Sequence, residues 1–108
     1  MGVLALLTNI REIKSAVVAD EMGALLESMG ANSDSEAVAA VMGFTVSSIN
    51  QVGEALGLGP AQRISFTGSN QSCILTILDS NLVATFVDPA VSLSGIEKKL
   101  DTALHRTQ

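Results

Sequence analysis

The chain reads as an α+β sandwich in the order helix-β-β-helix-β-β-β-helix. One five-stranded antiparallel sheet carries the long helix on one face and the two terminal helices on the other. Three observations predict this. Short runs rich in Val, Ile and Leu each stop at Asp, Gly, Asn or Pro, as strands do at turns. The segment 34–58 is far longer, has helical periodicity and holds Asp34, Glu36 and Glu54 as its only charges. The tail after Pro89 repeats a helical stripe. At 108 residues the chain has the size of one domain, 1–108, large enough to bury most of its apolar side chains.

In order along the chain, Leu4, Leu7 and Ile10 recur every three residues and predict a short first helix. "IKSAVVAD", 13–20, is β-branched and apolar on both faces, as a central strand is. "DEMG" then predicts a tight hairpin, with Gly23 free to take positive φ and Asp20 able to accept from the turn backbone, before "ALLESM" runs back. Ser33 or Asp34 serves as N-cap of the long helix, Glu36 places negative charge in its first turn, and Gly57, Gly59 and Pro60 stop it. "QRISFTG", "SCILTILD" and "LVATFVD" are joined by "SN" turns and read as an antiparallel meander. Leu93, Ile96, Leu100 and Leu104 share one face of the last helix, opposite a largely charged side.

Composition narrows the function classes. Apolar residues make up 47% and charged residues only 16%, against an average near 25% for soluble domains. The shortfall points to surface covered by a partner. A net charge of −5, six Lys and Arg, no Trp and no Tyr argue against nucleic acid, which needs clustered cations and stacking platforms. A single cysteine excludes an intrachain disulfide and fits a reducing compartment. The apolar start "MGVLALLTN" is too short for a membrane span or a signal h-region, and Leu6 stands where a myristoylation motif has Ser or Thr. The expectation is a cytoplasmic protein with no membrane insertion.

No catalytic set can be assembled. The one histidine, His105, lies at the end of the last helix with no nucleophile and carboxylate arranged around it, and complements the helix C-terminus. Cys73, inside a strand with no basic neighbour in sequence, reads as packing rather than as a thiolate. Metal ligands are too few for zinc or calcium spacing, and no cofactor motif is present. "GLGPAQ" follows a helix and lacks the ending of a phosphate loop, while "TGSNQS" suffices as a hairpin turn. Asp20 and Glu21 are adjacent, so in a turn they diverge and belong to the bend.

The long helix carries the remaining signal. Val38, Met42, Thr45, Ile49, Val52 and Leu56 form a stripe assigned to the core, centred on Val38, Ile49 and Leu56. A second stripe, Ala37, Val41, Phe44, Ser48 and Ala55, is also apolar, and Ala39, Gly43 and Asn50 make a flank small enough for close backbone approach. Apolar stripes on more than one side predict burial on more than one side, and in so small a domain the second cover is expected from another chain.

The layout, with "IKSAVVADEMGALLES" as first hairpin and "FVDP" before the last helix, resembles the Roadblock/dynein light chain family over nearly the whole chain. The resemblance implies a homodimer in which two long helices pack antiparallel and the strand after that helix pairs across a twofold. Carried over here, that strand is "QRISFTG", with Ile64 and Phe66 on one face and Arg63, Ser65 and Thr67 on the other. The implied dimer interface is Ala37, Val41, Phe44, Ser48, Ile64 and Phe66. Bacterial members regulate or scaffold small Ras-like GTPases, so the leading expectation is a non-enzymatic homodimer that binds such a GTPase and regulates it. None of Arg11, Arg63 and Arg106 is placed as an arginine finger. A second reading is a scaffold assembling motility, polarity or signalling components without touching turnover. A third is a small-ligand sensory module, since profilin-like and PAS-like sandwiches share this mix of elements. That would require convergent polar groups in the core, for which the strands offer chiefly Thr76 and Thr85.

Overall fold

The computed structural model describes residues 2–30 and 34–105, with side chains to Leu104, so Ser33 and Arg106 lie outside the described residues, as does the side chain of His105. A 3-10 turn at Val3–Leu7 leads into β1 (Ile13–Asp20) and β2 (Leu25–Gly30). Helix α1 (Ser35–Ala55) precedes β3 (Arg63–Thr67), β4 (Ser72–Leu78), β5 (Asn81–Val87) and α2 (Leu93–His105). The five strands form one sheet in the order β2-β1-β5-β4-β3, all neighbours antiparallel. The predicted architecture is therefore the observed one, and the first helix is a 3-10 turn, the form a three-residue repeat of Leu4, Leu7 and Ile10 fits.

Strand alternation divides the core into two layers. Ala16 and Val18 point with Ile74, Val83 and Val87 toward the 3-10 turn and the α2 stripe Ile96, Leu100 and Leu104. Val17 and Ala19 point with Leu75, Leu82 and Ala84 toward α1. Four successive β1 side chains, Ala16 to Ala19, are fully buried because helices cover both faces of that strand. Each buried Val or Leu contributes about 1.5–3 kcal/mol of transfer free energy, so these two layers dominate stability.

The hairpin turn is held as its sequence requires. Asp20 Oδ1 accepts from the backbone N–H groups of Met22 and Ala24, both at 2.9 Å, and Gly23 sits at φ +87°. The acidic pair at 20–21 is thus a bend whose first acid is occupied by the backbone.

Helix α1 begins at Asp34, whose Oδ1 accepts from Ala37 N at 3.1 Å. It ends in a Schellman motif: Gly57 N donates to Glu54 O at 3.1 Å and Leu58 N to Gly53 O at 2.8 Å, with Gly57 at φ +73°. Its phase differs from the sequence expectation. The sheet-facing residues are Ala39, Met42, Gly43, Val46 and Gly53, while Ile49, Val52 and Leu56, assigned to the core, are exposed. Close approach is the reason. A Cβ on Gly43 would stand 2.8 Å from Gly23 Cα, and one on Gly53 2.5 Å from Gly59 O, so the helix lies on its own chain's turns where only small residues fit. The small flank is a site of close approach, as its composition predicts, but the approaching backbone is intramolecular.

The two sheet edges differ. At β2 the register with β1 shifts between Val18 and Ala19, Glu27 stands mid-strand with Oε2 accepting from Val3 N at 3.0 Å, and Gly30 ends the strand at φ +82°. Strand β3 pairs in unbroken register with β4 from Arg63↔Thr76 to Thr67↔Ser72. A bulge and an inward mid-strand charge protect an edge; β3 has no bulge, and its one charge, Arg63, stands at the first residue of the strand.

Candidate functional site

The outward side of α1 carries a strip of exposed apolar residues interrupted by Ser48. Val41 is 62% and Phe44 74% exposed, and Ala37, Val52 and Leu56 extend the strip over the length of the helix. Its acids, Glu36 and Glu54, lie to one side, and the helix has no Lys or Arg. A lone surface helix ordinarily turns charges outward, and this face does not.

Beside it, between α1 and the open edge of the sheet, runs an apolar groove of about 400 Å³. One wall is α1 through Ala37, Val38, Val41 and Thr45; the other is β3 through Ile64 and Phe66; the floor is Cys73, Leu75 and Phe86 from β4 and β5. Phe66 is 68% exposed although it stands on a strand. Of the six residues expected at an interface, the fold brings Ala37, Val41, Ile64 and Phe66 onto this groove. Phe44 and the half-buried Ser48 lie outside it, on the adjoining helix surface. Ile49, Val52 and Leu56 belong to the same exposed surface, where hydropathy alone places them in the core. The signal that could have found them is the small-residue series Ala39, Gly43 and Gly53, which marks the true sheet-facing side.

The remaining chemical groups are occupied or dispersed. Burial pushes the Cys73 thiol up to about 11, which disfavours the thiolate. Arg63 is tied to Asp101 of α2 at 2.8 Å, and its Nε donates to Thr76 Oγ1 at 3.3 Å. Thr85 Oγ1 donates to Ile74 O at 3.2 Å. Both threonines thus have partners away from the groove. Glu12 is paired with Lys99, whose hydrogen bond holds its carboxyl below the usual range. Among the described residues no three of His, Cys, Asp and Glu converge as a metal site, and no helix is long and apolar enough to cross a membrane.

Comparison with known proteins places this geometry. The family model for the Roadblock/LC7 domain matches residues 2–88. MglB of Myxococcus xanthus superposes with a TM-score of 0.85 at 20% identity, over 94% of this chain and 87% of that one. The gliding protein MglB of Thermus thermophilus gives 0.80 at 15% identity, over 94% and 82%. A Roadblock/LC7 domain from Streptomyces avermitilis gives 0.81 at 13% identity, over 96% and 89%. No curated protein matches this chain in sequence. With the family model spanning most of its length and the same sandwich in each of these structures, the chain belongs to the Roadblock/LC7 family.

Proposed function

We propose that this Roadblock domain acts as a cytoplasmic, non-enzymatic homodimer that binds a small Ras-like GTPase and regulates its nucleotide cycle. The observation that carries the dimer is the apolar groove lying between an uncharged helix face and an unprotected sheet edge. A second copy covers all three features at once: its helix fills the groove, its strand satisfies the β3 backbone, and Val41 and Phe66 leave water. An MglB structure with a tetrameric arrangement supports self-association as a habit of this fold.

The GTPase half of the reading rests on the family. Arg63, bonded to Asp101 and Thr76, is turned onto its own chain, so the reading assigns the hydrolytic groups to the GTPase and to this domain their positioning. The test is capture from lysate of the source organism loaded with GDP or with a non-hydrolysable GTP analogue. A small GTPase retained only with the analogue supports regulation. Equal retention in both states moves the reading to a scaffold, and no GTPase in either state overturns it.

A further inference from the structure

We draw no further inference here: the strongest candidate, the cleft of about 540 Å³ between the C-terminal half of α1 and the β1–β2 and β4–β5 turns, is an acidic cluster of Glu21, Glu54 and Asp79 around a partly apolar floor, and nothing in the structure shows what covers it.

Discussion

At the scale of single residues, Gly43 shows how close contact overrides helix propensity. Replacing an interior glycine by alanine ordinarily stabilises a helix by about 1 kcal/mol. Here the added Cβ meets Gly23 Cα at 2.8 Å, a backbone atom of a turn already fixed by two hydrogen bonds to Asp20. Gly43→Ala is expected to destabilise by about 1–3 kcal/mol, the usual cost of overpacking. A urea midpoint equal to or above that of the parent would refute the contact. Cys73 gives a second test. Its thiol titrates near 11 against an ordinary 9.0, so at pH 8 the thiolate population falls about 100-fold. Disulfide-exchange labelling at that pH is expected to be slow in the folded chain and fast in urea, and equal rates would contradict the burial of Cys73. The raised value leaves the thiol neutral through the neutral range, and reactivity rises only as pH approaches 11.

Among the elements, the ends of helices are readable from sequence and the rotation of α1 is not. Turn-forming residues such as Asp20, Gly23, Gly57 and Pro60 act through local backbone geometry, which a sequence displays directly. They set the strand limits to within about one residue and the helix limits to within about three. The buried side of α1 depends on what it lies against. With apolar residues on nearly every side, hydropathy favours the bulky series Val38, Ile49 and Leu56, whereas the sheet selects the small series Ala39, Gly43 and Gly53. The groove is legible only in part for the same reason. Ile64 and Phe66 follow from strand alternation, but Val52 and Leu56 require the helix phase. Two glycines make opposite predictions at this scale. Gly57 holds φ +73° in the Schellman motif, so Gly57→Ala is expected to cost about 1 kcal/mol. At Gly95 in α2 a Cβ would project into open space from an ordinary helical backbone, so Gly95→Ala is expected to stabilise by up to about 1 kcal/mol. Thermal midpoints moving in the same direction would show that one assignment is wrong.

For the whole molecule, the apolar strip on α1 and the open β3 edge lie on the same flank of the sandwich. Phe44 makes the cleanest probe of the proposed dimer, because at 74% exposure it supports no core in a single chain. Phe44→Glu is expected to leave the fold and the far-ultraviolet circular dichroism intact while shifting the sedimentation coefficient from dimer to monomer. Retention of the dimer would exclude the helix face from the interface. Ile64→Asp is a poorer probe, since Ile64 also packs within its own α1-side cluster and its loss confounds folding with association. The unequal edges of the sheet carry a further consequence for such a monomer. A five-stranded sheet with two receptive edges would add copies without end, and one with none would stay single. With β3 open and β2 kinked and charged, edge pairing of the kind proposed closes at two copies, and the proposed pair has only guarded rims. Breaking the pair through the helix alone therefore returns one receptive strand to solvent, and a chain with a single open edge can pair again with a twin but cannot extend into a filament.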